Sequence, residues 1–126
     1  MSAGLTLDAG ALIAFERSDR FVVSLLARSL ELELGVAVPA GVVAQVWRDG
    51  RRQARLARLL GAPQVEVEAL DDRRARAAGQ LCGVAKTRDI VDASVVLCAR
   101  ARAHAVATSD QGNLRRLDRQ LPLIPV

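Results

Sequence analysis

Apolar residues along this chain recur with two different periods. Leu5-Thr6-Leu7, Gly35 to Pro39 (GVAVP) and Ala105 to Asp110 (AVATSD) are short, mainly apolar runs of strand length, and Val65 to Leu70 (VEVEAL) alternates with period two. Between them lie longer stretches with helical spacing. Ala9 to Arg17 follows the first strand. Ser18-Asp19 can cap a second helix, Arg20 to Leu34, whose apolar positions Val22, Leu25, Leu26, Leu30 and Leu34 repeat at helical spacing. Ala40 to Asp49 and Arg51 to Gly61 are helical pieces broken near Gly50. Asp71 to Ala85 opens with acids, as helix N-termini favour, and Asp89 to Ala103 is a long, largely apolar helix. A last helix is predicted over Asn113 to Leu121 and a closing strand over Pro122 to Val126.

Alternation of roughly five strands with about seven helices predicts an α/β fold. The expected form is a three-layer α/β/α sandwich, with a mainly parallel five-stranded sheet covered by helices on both faces. No repeat, linker or low-complexity segment interrupts the pattern, so residues 1–126 are expected to form a single domain. In such sheets ligands bind beyond the carboxyl ends of the strands. That makes the position of the acids informative.

Asp8 directly follows the first strand, and Asp110 follows the strand that begins at Ala105. Asp89 and Asp92 are three residues apart at the start of the most apolar helix, so both can face the same way. Asp8 has two readings from its own neighbourhood: an N-cap for the helix after it, or a member of a cluster at the sheet's mouth. Asp92 is harder to explain as a cap. It sits among Ile90, Val91, Ala93, Val95, Val96 and Leu97, where a carboxylate needs a partner or gives up its charge. Acids gathered at one place repel unless a cation lies between them. An all-oxygen donor set without His or Cys points to Mg²⁺ or Mn²⁺ rather than Zn²⁺. His104, the one histidine, lies at the far end of its helix and reads as structural or merely exposed. No Cys/His nucleophile pair, G-x-S-x-G or G-x-G-x-x-G is present, and GQLCGVAKT lacks the adjacent Gly-Lys of a phosphate loop and follows a helix.

Charge adds a candidate partner. The chain has 126 residues with Lys+Arg 18 against Asp+Glu 14, net +4, and Lys86 is the only lysine, leaving seventeen arginines. Arginine's planar fork suits phosphate. The runs WRDGRRQARLARLL and DDRRARAAG fit either a solvated helix face or a polyanionic partner. Phe15, Phe21 and Trp47 are too few for a base-stacking platform, so phosphate contacts would dominate any nucleic-acid binding. Cys82 and Cys98 lack metal-ligand spacing and read as reduced, buried thiols. No apolar run approaches a membrane span, and MSAGLTLD lacks the features of a signal peptide. A cytoplasmic protein without membrane association is expected.

LTLDAGALIAFER, DIVDASVVLCARAR and VATSDQGNLRRL resemble, in this order, the signature segments of PIN-domain nucleases, most closely the VapC-type ribonuclease toxins of type II toxin–antitoxin pairs. The resemblance implies that Asp8, Asp92 and Asp110 bind metal and act in catalysis, with Asp89 beside them and Asn113 where some relatives place a further acid. It implies a Mg²⁺- or Mn²⁺-dependent endoribonuclease acting on RNA, a cognate antitoxin and a homodimer. Arg17 and Arg48 are candidates for holding the RNA backbone. The apolar second helix and Trp47 are candidate docking or dimer surfaces that core packing explains equally well. One departure stands out: the family usually has Glu in the helix after the second strand, where this chain has Gln45. A neutral amide binds metal poorly, and Asp89 is a candidate to replace the lost charge. The rival expectations are a weakened or inactive PIN-fold module that binds RNA or protein, and a receiver-like phosphoacceptor. The latter would want paired acids near the first strand, where Leu7 precedes Asp8, and a lysine after a late strand, whereas Lys86 precedes the apolar helix.

Overall fold

The structure, a computed structural model, describes residues 4–126; Met1, Ser2 and Ala3, part of the stretch read above for a signal peptide, lie outside the described residues. Five strands and seven helices alternate: β1 (Gly4–Leu7), α1 (Ala9–Glu16), α2 (Arg20–Glu31), β2 (Gly35–Pro39), α3 (Ala40–Val46), α4 (Ala54–Leu60), β3 (Val65–Glu68), α5 (Asp72–Ala85), α6 (Ile90–Arg102), β4 (Ala105–Thr108), α7 (Gln111–Leu117) and β5 (Leu123–Pro125). The sheet order is β3-β2-β1-β4-β5. Every pairing is parallel, with Leu5 opposite both Val36 and Ala105 and Leu7 opposite Ala107.

This order sets the layers. From β1 the chain steps outward to β2 and β3, then crosses back to β4 and on to β5. With right-handed crossovers, the two directions put their helices on opposite faces. Accordingly α2 packs on β2 and α4 on β3, while α6 lies across β1, β2 and β4 with α5 and α7 beside it. Covering on both faces explains why β1 and β4 are buried at every residue and why they read as mainly apolar runs. Leu7, Leu12, Val36, Val38, Val95, Val96 and Val106 fill the two interfaces.

Edge strand β3 departs from its apolar alternation. Val65 is buried but Val67 is 42% exposed. Glu68 turns inward instead, where Arg74 Nε meets it at 2.9 Å and Arg102 pairs with both Glu68 and Glu66. Several helix limits also differ from the sequence expectation: α3 ends at Val46 rather than Asp49, and α4 begins at Ala54 rather than Arg51. Helix α2 stops at Glu31 rather than Leu34, because Glu33 takes a left-handed φ of 57°. There the Leu34 N–H donates to Ser29 O at 2.9 Å and the Glu33 N–H to Leu30 O at 3.1 Å, a Schellman stop. Helix α7 begins earlier and ends earlier than expected, at Gln111 and Leu117, since Asp110 rather than a later residue is its cap. Val22 and Leu26 of α2 are buried, whereas Phe21 is 54% and Trp47 37% exposed. Cys82 and Cys98 are free and buried. His104 is buried at the end of the sheet away from Asp8, its Nδ1 3.1 Å from Thr6 Oγ1, which gives it a structural place. Among the described residues no helix is long and apolar enough to cross a membrane.

Candidate active site

The sheet changes direction between β1 and β4, and the crevice beyond their carboxyl ends is where a parallel sheet offers a ligand site. Asp8 leaves β1 there, its N–H donating to Ala107 O of β4 at 3.3 Å. It is the N-cap of α1, with Oδ1 accepting the Ala11 N–H at 2.9 Å. Its other oxygen accepts the hydroxyl of Thr108, the last residue of β4. That same hydroxyl accepts the Asp110 N–H at 2.8 Å, so one fully buried Thr joins two acids from strands a hundred residues apart. Asp110 caps α7, and Asn113 holds both of its oxygens, Oδ1 through the backbone N–H at 3.3 Å and Oδ2 through Nδ2 at 2.7 Å. Asp89 caps α6 by accepting the Asp92 N–H at 3.1 Å. Asp92 lies one turn inside.

Asp8, Gln45, Asp89, Asp92 and Asp110 line one cavity of about 220 Å³. Its acids are electrostatically uncompensated. Burial pushes the Asp92 carboxyl up to about 7, and Asp89, Asp110 and Asp8 push it the same way. Burial also raises Asp8 above the usual carboxylate range, against hydrogen bonds from Thr108, Ala11 and Ser109 that favour its ionised form. Elsewhere two partly buried acids have cationic partners: Glu68 has Arg74 and Arg102, and Asp118 has Arg100 at 2.9 Å. None of the ion pairs among the described residues involves Asp8, Asp89, Asp92 or Asp110. The donor set is all oxygen, negatively charged and unpaired, which fits a hard divalent cation in chemistry. The Asp89 and Asp92 side chains meet as hydrogen-bond partners, but among the described residues no three acidic, His or Cys side chains form a close metal-holding group. The caps account for this, because Asp8, Asp89 and Asp110 each have an oxygen turned back to a helix N–H.

The structure thus brings Asp8, Asp89, Asp92, Asp110 and Gln45 together, with Asn113 attached through Asp110. It does not bring Arg17 or Arg48 to the cavity. Helix α1 starts at the mouth and runs away from it, so Arg17, its C-cap, stands about 13 Å along the axis. Arg48 folds back on its own helix end, Nη1 donating to Ala44 O at 3.2 Å and Trp47 O at 2.7 Å. The sequence reading missed Thr108, Ser109 and Gly10. Thr108 was visible as a hydroxyl residue two positions before Asp110, the spacing of a side-chain-to-backbone turn. Gly10 had no signal: a Cβ there would sit 1.8 Å from Ser109 Oγ, an approach that exists only in the fold.

A family model described as the PIN domain matches residues 5–120. The fold is similar to that in a structure of FitAB bound to an IR36 DNA fragment, with TM-score 0.64, 18% identity, 96% of this chain covered and 94% of that one. It is equally similar to the crystal structure of FitAcB from Neisseria gonorrhoeae, with TM-score 0.64, 18% identity and 95% and 96% covered. No curated protein sequence matches this chain.

Proposed function

The chain belongs to the PIN-domain family, and from that premise we propose that it is a Mg²⁺- or Mn²⁺-dependent endoribonuclease, a single PIN-like domain acting in the cytoplasm as the toxin of a type II toxin–antitoxin pair. The observation that carries the reading is the set of unpaired carboxylates, Asp8, Asp92 and Asp110, around one cavity at the carboxyl ends of β1 and β4. These three would hold the cation. A divalent ion, when bound, supplies charge neutralisation at the scissile phosphate and acidifies water for attack on it. The chain's own part is positional. Thr108 fixes Asp8 relative to Asp110, Asn113 restrains Asp110, and Asp89 anchors the first turn that carries Asp92. The N-terminal ends of α1 and α6 face the same crevice, and their free N–H groups favour anions there, carboxylate or phosphate.

The VapC-type resemblance implies a cognate antitoxin that occludes the cavity, most simply with an Arg placed among the acids, and a homodimer. Cleavage of single-stranded RNA and of matched DNA, with Mg²⁺ or Mn²⁺ and with EDTA, tests the reading. RNA cleavage that EDTA and Asp92→Asn both abolish is the expected result. Preferential DNA cleavage would transfer the activity to the other nucleic acid, the kind bound in one of the fold neighbours. Gln45 favours one alternative, a module that binds RNA or protein without cutting. Tight RNA binding with no cleavage under any divalent ion would select it.

A further inference from the structure

We propose that Asp89 is a carboxylate ligand of the same cation, supplying from α6 the charge that α3 withholds at Gln45. This rests on the cation-dependent reading above and names a residue for it. Gln45 on α3 faces the cavity with a neutral amide, and α3, AGVVAQV, carries no acid at all. Asp89 faces the same cavity from α6, half-buried, with Asp92 three residues on. Capping alone does not account for a charge there. Ser or Asn caps a helix as well as Asp does, and neither would set a second carboxylate beside Asp92. The caps of α2 and α5, Asp19 and Asp71, are exposed and line no part of this cavity, and the acid in the first turn of α5, Asp72, is exposed and paired with Arg76. Asp89 pairs with no cationic side chain among the described residues. With Asp89 included, Asp8, Asp92 and Asp110 become a four-carboxylate set, and ligand charge count is a principal control on hard-cation affinity.

The test is calorimetric titration of the whole protein with Mn²⁺ alone, with a melting curve for each variant. Asp89→Asn keeps a capping oxygen and should melt close to the parent, yet bind Mn²⁺ roughly tenfold to a hundredfold more weakly. Gln45→Glu added to Asp89→Asn should recover most of that loss, because it returns a carboxylate to the same cavity. Asp71→Asn, which alters an equivalent cap away from the site, should leave Mn²⁺ affinity unchanged. An Asp89→Asn protein that binds Mn²⁺ as tightly as the parent overturns the assignment while leaving the cation-dependent reading intact. A parent that takes up no Mn²⁺ overturns that reading and this assignment with it.

Discussion

Thr108 is the smallest group on which the site depends. Its single hydroxyl donates to Asp8 and accepts from the Asp110 backbone, and it has no solvent exposure. Thr108→Val keeps the shape and removes the bridge, leaving a buried carboxylate oxygen and an N–H short of partners. About 1–3 kcal/mol of stability should be lost, together with most of the nuclease activity, and Thr108→Ser should restore both. Urea melts and cleavage rates on the same preparations read this out. Asp92 predicts a pH signature. Its ordinary value is 3.8 and its folded value about 7, so between these limits the folded chain binds a proton that the unfolded chain has released. Metal-free protein should therefore lose stability as pH rises from about 4 to about 7 and level off above that. Asp92→Asn should flatten this part of the curve and abolish cation-dependent cleavage while the fold persists. A full-strength slope in the variant would assign it to other groups. At this scale the acids were legible because charge in an apolar segment is visible in sequence. Thr108 was not singled out, since a Thr near a strand end is ordinary until its partner at position 8 is brought beside it.

Helix ends explain most of what the sequence misplaced. Ser18, Glu33, Lys86 and Ala103 take left-handed φ values between 55° and 60° where α1, α2, α5 and α6 stop. None is Gly or Asn, the residues that announce such stops, so α2 looked longer than it is. Four starts were easier, because Asp8, Asp19, Asp71 and Asp89 each cap the helix that follows, whereas Asp110 was not read as a cap and α7 was started two residues late. The contact of α1 with the β4–α7 loop makes a prediction at this level. Gly10→Ala places a methyl 1.8 Å from Ser109 Oγ and 2.6 Å from its Cβ, so it should displace the loop that carries Asp110. Cleavage should fall even though position 10 has no reactive group. Adding Ser109→Gly removes the atoms in the way and should return the activity, a non-additive pair in a double-mutant cycle. Simple addition of the two effects would show that the contact is not what limits the site.

Across the whole molecule, net charge is +4, and two groups of arginines stand apart. Arg74, Arg100 and Arg102 are taken up by internal acids, while Arg17, Arg20, Arg28, Arg88 and Arg116 are exposed and available to a polyanion. If RNA is that polyanion, binding by an Asp92→Asn protein should weaken log-linearly with salt, with a slope of roughly 0.7 per phosphate contact. Flat, weak binding at all salt concentrations would reduce the arginine excess to a solvated surface. The alternation of strands and helices made the layered fold legible, but strand order was not, because strands of three to five residues carry no mark of their neighbours. That order has a consequence in time. β1 is made first, yet its partner β4 comes about a hundred residues later, and the cavity has no far wall until β4 lies beside β1. A polypeptide still growing on the ribosome would carry Asp8 without a site to put it in. Chains arrested before Ala105 should bind no Mn²⁺ and be open to protease, so the nuclease activity proposed above would be withheld from each nascent chain until β4 has been made.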